Sequence, residues 1–309
     1  ICLGVATLDQ IFRVDTIPEA PAKFGALEFI VTGGGMAANQ AKAQNHVRAF
    51  DLSEAAVARA VAAGCHAAAS VAEAVADAEV VITMLPNGTI VGAAYDDVLS
   101  AAAPGALFID SSTISVDDAR AIHQRAVDAG FAQVDAPVSG GVKGATAGTL
   151  AFMVGGEEAA VDRARPILDP MAGKVIHCGD SGAGQAAKVC NNMVLAVQQI
   201  AVGEAFVLAE KLGLSAQSLY DVVTGATGNC WAIEVNCPVP GPAPSSPANN
   251  DFKPGFATAL MNKDLGLAMD AVASTSSRAP LGEHAAQLYA AFAGEHAAED
   301  FSAIINSLR

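Results

Sequence analysis

Gly179-Asp180-Ser181-Gly182-Ala183-Gly184-Gln185-Ala186-Ala187-Lys188-Val189-Cys190-Asn191-Asn192 is a glycine-led entry into a long helical run. Helical periodicity continues from about Gly184 to Lys211, further than anywhere else in the chain. The glycines let the backbone bend tightly where a side chain would obstruct. Lys188 and Asn192 stand four residues apart and so project from one face of the helix. Their neighbours Ala186, Ala187, Val189 and Cys190 are small or apolar, so this turn reads as buried, and a lysine is rarely buried without a task. The competing reading of Lys188 is an ordinary solvated lysine on a helix surface.

The same stretch divides the chain. On its N-terminal side short apolar runs alternate with Ala-rich helical segments. Strands are expected at 46–50, 80–85, 106–110, 132–138, 149–154 and 174–177, and helices at 53–63, 71–78, 91–102, 116–129 and 157–168. Val80–Leu85 is apolar but for Thr83, as expected of a strand buried on both faces. This alternation predicts a doubly wound α/β domain. Residues 1–32 are less regular, with strands expected at 1–6, 11–14 and 27–31 around a proline-interrupted turn. Beyond Gly179 no strand is expected. Helices are predicted over 184–211, 216–223, 256–274, 281–292 and 300–308, with 238–254 an ordered Pro-, Ser- and Asn-rich loop.

Composition narrows the function classes. A net charge of -15 over 309 residues leaves no basic stripe for nucleic acid or for an anionic membrane surface. No uninterrupted apolar run reaches the roughly 18 residues of a membrane span, and no signal peptide is visible. The six cysteines form no CxxC pair and no zinc set with histidine, and read as reduced thiols of a cytoplasmic protein. No metal site is expected.

Four further stretches have the chemistry of a site. Thr32-Gly33-Gly34-Gly35-Met36-Ala37-Ala38-Asn39 is a glycine-rich turn entering a helix, suited to a phosphate. Asp51 follows the next strand, 18 residues after Gly33, where a carboxylate can accept a ribose hydroxyl and disfavour a 2′-phosphate. Asp51 is otherwise read as a helix N-terminal charge. Leu85-Pro86-Asn87 and Ser111-Ser112-Thr113 follow apolar strands, at the ends where ligands bind in open sheets, although Ser112 or Thr113 can instead cap the next helix. Asp135-Ala136-Pro137-Val138-Ser139-Gly140-Gly141 offers a hydroxyl and backbone N–H groups to a small carboxylate, or is a plain glycine turn. Lys263 and Asp264 interrupt an apolar helix, either as a surface pair or as a cofactor contact.

Together, Asp135–Leu150, Gly179–Asn192 and Phe252–Leu267 resemble the β-hydroxyacid dehydrogenase family over about residues 33–309, and Asn229–Gly241 resembles its hydroxyisobutyrate branch. The resemblance implies a Rossmann-type doubly wound α/β domain followed by an all-α domain joined through a long interdomain helix. It divides the chain into an atypical segment 1–32, a dinucleotide-binding domain 33–178 and a helical substrate and oligomerisation domain 179–309. It implies Lys188 as the catalytic lysine, Asn192 beside it, and Ser139, Gly140 and Gly141 on the substrate carboxylate. Gly33, Leu85, Pro86, Thr113 and Lys263 would contact the dinucleotide, and Asp51 would select NAD. The implied reaction is oxidation of 3-hydroxyisobutyrate to methylmalonate semialdehyde, a step of valine breakdown, by a homodimer or homotetramer. A related semialdehyde reductase, acting on tartronate or succinic semialdehyde or glyoxylate, is the alternative within the family.

One segment departs from the family pattern. Aligned on Met36-Ala37-Ala38-Asn39, the third fingerprint glycine falls on Gly33, but the first two fall on Glu28 and Ile30. Side chains in that turn would obstruct a pyrophosphate, which leaves a catalytically silent binding homologue as a further reading. Residues 1–39 instead resemble the start of a ribokinase-like sugar kinase. A second fitting lets Ile1–Gly4 supply the family's first strand, with residues 5–32 inserted.

Overall fold

The structure, a computed structural model, describes residues 3–4, 28–30 and 46–309. The strand expected at 11–14 and the glycine run 33–35 lie outside the described residues. The chain divides into two compact units, residues 1–188 and 189–309.

The first unit opens with strands β1 (Leu3–Gly4), β2 (Glu28–Ile30) and β3 (His46–Asp51), helix α1 (Glu54–Ala62), β4 (His66–Ala67), α2 (Val71–Val75) and β5 (Val80–Thr83). It continues through α3 (Gly88–Ala101), β6 (Leu107–Asp110), α4 (Val116–Asp128), β7 (Ala132–Asp135), β8 (Val138–Ser139), α5 (Gly141–Ala147), β9 (Leu150–Gly155), α6 (Glu158–Leu168) and β10 (Ala172–Gly179). The strand order is β1-β3-β2-β5-β6-β7-β9-β10, with β4 beside β3 and β8 beside β9. Pairing is parallel except where β9 meets β7 and β8. The chain leaves β2 toward β3 on one side and returns to β5 on the other, so the strand order reverses at β2.

Period-2 alternation sets the two faces. Val80, Ile82, Leu107 and Ile109 pack with α1 and α6, while Val81 and Phe108 pack with α2, α3 and α4. Side-chain oxygens start the helices: Ser53, Ser70, Asn87 and Ser115 each accept a first-turn N–H, for α1, α2, α3 and α4. The cap of α4 is therefore Ser115, not Ser112 or Thr113.

One reading of the N-terminal segment is corrected. Glu28 and Ile30 stand in a strand, with Glu28 opposite His46 and Ile30 opposite Val81, and not in a phosphate turn. All three glycines of 33–35 follow that strand in sequence, which removes the ground for a silent homologue. Strand β2 pairs with both β3 and β5 and so holds the place of a first strand in the doubly wound order.

Helix α7 (Ala183–Lys211) ends the first unit and begins the second. The second unit continues with α8 (Ala216–Thr224), α9 (Trp231–Glu234), α10 (Thr258–Ser274) and α11 (Pro280–His296). The helix expected over 300–308 is a 3-10 helix, Phe301–Ser307. Ala196 and Ile200 of α7 pack with Met261, Leu265 and Tyr289; Val202 and Phe206 pack with Ile233 and Val239. By length and a mean hydropathy of 1.5 over 18 residues α7 would suit a membrane span, yet half of that window is buried inside the protein.

The start of α7 is wedged against the sheet. A Cβ on Gly184 would fall 2.7 Å from Asp135 Oδ2 and onto the Met153 carbonyl, and one on Gly155 would fall 2.5 Å from Asp135 Oδ1. Gly266, inside α10, has nothing within 4 Å of that position. Gly184→Ala is expected to destabilise the protein by about 2–3 kcal/mol through overpacking, whereas Gly266→Ala is neutral or stabilising by up to about 1 kcal/mol. Urea unfolding of the two variants checks this contrast.

Candidate active site

The functional geometry of the first unit grows from the carboxyl ends of its parallel strands. Strand β7 ends at Asp135, whose buried carboxylate accepts the N–H of Gly182 at 2.7 Å and of Gln185 at 2.9 Å. These are donors at the entry to α7 that no helical carbonyl can satisfy, and a carboxylate there also meets the positive end of the helix dipole. Burial raises the Asp135 pKa, and the two backbone hydrogen bonds pull it back down.

Lys188 lies one turn further along α7. Only 6% of it is exposed, and Nζ donates to the Val138 carbonyl at 2.8 Å. Val138 precedes Ser139, so the ammonium is held beside the turn read as a carboxylate site. In that turn Gly140 has φ +133° and Gly141 φ +59°, conformations that side chains rarely adopt. The turn opens the short helix α5, which the sequence reading did not foresee; Ser139 itself pairs with Ala151 of β9.

At the end of β6, Asp110 Oδ1 accepts from Thr83 Oγ1 at 2.7 Å, from Ser112 Oγ at 2.6 Å and from Ser112 N at 3.2 Å. Ser112 Oγ in turn accepts from Leu85 N at 2.8 Å. The loops carrying Leu85, Pro86 and Thr113 are thus tied to one buried carboxylate. Burial raises its pKa to about 6, against the hydrogen bonds from Ser112 and Thr83, which lower it. Asp51 closes β3, with Oδ1 accepting Ser53 N at 2.8 Å. Gly33 lies outside the described residues.

The second unit holds the other two residues singled out from sequence. Asn192, 2% exposed, donates through Nδ2 to Asp264 Oδ2 at 2.6 Å. The other oxygen of Asp264 lies 3.9 Å from Lys263 Nζ. Asp264 is buried and Lys263 only partly exposed, so they are not a surface pair; burial lowers the Lys263 pKa, and the Asp264 charge raises it. Asp264 thus joins Asn192 to Lys263. Asp135, Gln185 and Asp110 were given no site role from sequence. The one local hint was the pair of glycines at 182 and 184: the first is itself a donor to Asp135, and the second precedes the other donor, Gln185.

The donor set suits a nicotinamide dinucleotide. A carboxylate at the end of β3 matches ribose hydroxyls, the loops after β5 and β6 carry Leu85-Pro86 and Ser112-Thr113, and a buried amine stands beside a hydroxyl-bearing turn. Fold and site define an NAD-dependent oxidoreductase with a Rossmann-type domain and a helical domain. The sequence family described as the NAD binding domain of 6-phosphogluconate dehydrogenase matches residues 29–179, and that described as the NAD-binding of NADP-dependent 3-hydroxyisobutyrate dehydrogenase matches 182–308. A probable 3-hydroxyisobutyrate dehydrogenase of Mycobacterium tuberculosis is 69% identical over 277 residues, covering 90% of this chain and 94% of that one. An NAD-dependent L-serine dehydrogenase of Pseudomonas aeruginosa is 45% identical, covering 88% and 93%. The Mycobacterium tuberculosis 3-hydroxyisobutyrate dehydrogenase structure with L-serine superposes with a TM-score of 0.90 at 66% identity, covering 93% of this chain and all of that one. The chain belongs to the 3-hydroxyisobutyrate dehydrogenase family. The first match begins at residue 29 and takes in Thr32–Asn39, so the sugar-kinase resemblance of residues 1–39 does not hold.

Asp110 makes stability pH-dependent with a definite sign. Its folded pKa lies above the unfolded value of 3.8, so the folded state holds the extra proton between about pH 4 and 6. The stability it contributes is full below pH 4 and lost as pH rises through 6. Asp110→Asn keeps an oxygen for the three donors. The stability of the wild type relative to this variant should therefore fall by about 2–3 kcal/mol between pH 4 and 7, measured by urea unfolding at each pH.

Proposed function

We propose that the protein oxidises 3-hydroxyisobutyrate to methylmalonate semialdehyde, a step of valine breakdown, with Lys188 as its catalytic lysine. The observation that carries this reading is a lysine 6% exposed and hydrogen-bonded to the residue preceding Ser139. Bound NAD would supply the hydride acceptor for the substrate's hydroxymethyl carbon. Lys188 Nζ hydrogen-bonds the hydroxyl oxygen, stabilises its developing negative charge and relays its proton. Ser139 Oγ and the backbone N–H groups of Gly140 and Gly141 hold the carboxylate, which leaves one carbon facing the cofactor. Asn192, held by Asp264, orients the hydroxyl. Gly33, Leu85, Pro86, Thr113 and Lys263 contact the dinucleotide, and Asp51 favours NAD over NADP through its charge.

A second substrate reading is L-serine, another small 3-hydroxy acid. It is supported by the relative named for that activity and by the Mycobacterium tuberculosis structure that holds it. The ratio of kcat/KM for the two acids, with tartronate semialdehyde as a third arm, decides between them. In the same reading the domain boundary falls in the turn ahead of α7, where the two family matches part. The enzyme is cytoplasmic, which the free thiols of Cys65, Cys178, Cys190, Cys230 and Cys237 support. It assembles as a homodimer or homotetramer through residues 189–309, whose exposed Val194, Leu208, Leu212 and Leu281 support such a surface.

Lys188→Ala is expected to lower kcat by at least about 1000-fold while NAD binding measured by calorimetry survives; retained turnover would overturn the assignment. Ser139→Ala should raise KM for the hydroxy acid about tenfold, the loss of one hydrogen bond to a charged group, and leave KM for NAD unchanged. Initial-rate kinetics with each substrate varied in turn measure both constants.

A further inference from the structure

We propose that Gln185 is a positioning residue that sets the dinucleotide-contacting loop, residues 112–114, against the helix that carries Lys188. The inference rests on the cofactor reading of Thr113 given above. Gln185 is fully buried. Its side-chain Nε2 donates to the Ser112 carbonyl at 2.7 Å, and its Oε1 accepts the N–H of Ile114 at 3.2 Å. One carboxamide therefore bridges the two residues that flank Thr113, and its own partners fix which end is oxygen and which is nitrogen.

The backbone of the same residue is held independently, since Gln185 N donates to Asp135 Oδ2. Gln185 thus joins the end of β7 to the end of β6, three residues ahead of Lys188 on α7. The bridge reaches the other cofactor loop at one remove, because Ser112 Oγ accepts from Leu85 N. At neutral pH only the carboxamides of glutamine and asparagine carry a donor and an acceptor on one planar carbon, and asparagine is one methylene shorter. Glutamate has the same shape but would set a carboxylate oxygen against the Ser112 carbonyl. Methionine has similar length and makes neither bond.

The test is NAD binding by calorimetry on the full-length protein, with thermal stability measured alongside. The variants are Gln185→Met, Gln185→Glu, Thr113→Val and the double variant Gln185→Met/Thr113→Val. Either change at Gln185 should weaken NAD binding about tenfold. If Gln185 acts through the loop, the double variant should bind NAD within about twofold of Thr113→Val alone. Glutamate keeps the shape and the bond to Ile114, so it reports if the methionine variant does not fold. Lowered thermal stability with NAD affinity unchanged would show a purely structural role and overturn the proposal. Additive losses, or a Thr113→Val variant that binds NAD normally, would overturn it as well. Failure of the cofactor reading is a different result, in which the wild type itself takes up no NAD.

Discussion

The Asp135 carboxylate, accepting the N–H groups of Gly182 and Gln185, is the interaction on which the first unit's site depends. It makes the last residue of β7 the anchor for the first turn of α7. The direction of Lys188, one turn on, follows from that anchor. The contact is possible only because Gly155 and Gly184 carry no Cβ; an added carbon at either would collide with the same carboxylate. Two glycines and one acid, far apart in the chain, therefore act as one device. A buried carboxylate without such donors would cost several kcal/mol; with a helix entry to cap, it holds the sheet and the helix in register.

A second buried acid organises the neighbouring loops in the same way. Asp110 gathers Thr83 from β5 and Ser112 from its own loop, and Ser112 passes the restraint to Leu85. Strand ends in a parallel sheet leave unpaired polar groups, and ligand-binding loops must start from them. Here that requirement is met by side chains rather than by further strand. The loops can then be irregular at their tips while fixed at their roots. Burial pushes both acids toward higher pKa, and each is restrained by the hydrogen bonds it receives.

Much of the fold was legible because it rests on local periodicity. Apolar runs such as Val80–Ile82 declare a strand covered on both faces, and the 29 residues of α7 declare a helix by period and length. The N-terminal segment was not legible in the same way. Glu28 and Ile30 could be placed in a turn by aligning a short string, because a few residues fit two registers equally well. Pairing of Phe29 with Val47 and Val80 decides for the strand, since register is set by neighbours and not by the strand's own sequence. The same holds for α5, a seven-residue helix with four small residues in its span and no side-chain cap.

The sequence by itself determined the class of fold, the division between alternating and all-helical halves, and the presence of one lysine in a buried turn. Those rest on composition and on spacings within about one or two helical turns. Only the tertiary structure decided what each polar group touches. Lys188 meets Val138 across 50 residues, Asn192 meets Asp264 across 72, and Gln185 meets Ser112 across 73. A hydrogen bond over that separation leaves no periodic trace, because its two ends are brought together by the packing of whole elements and not by the geometry of either one.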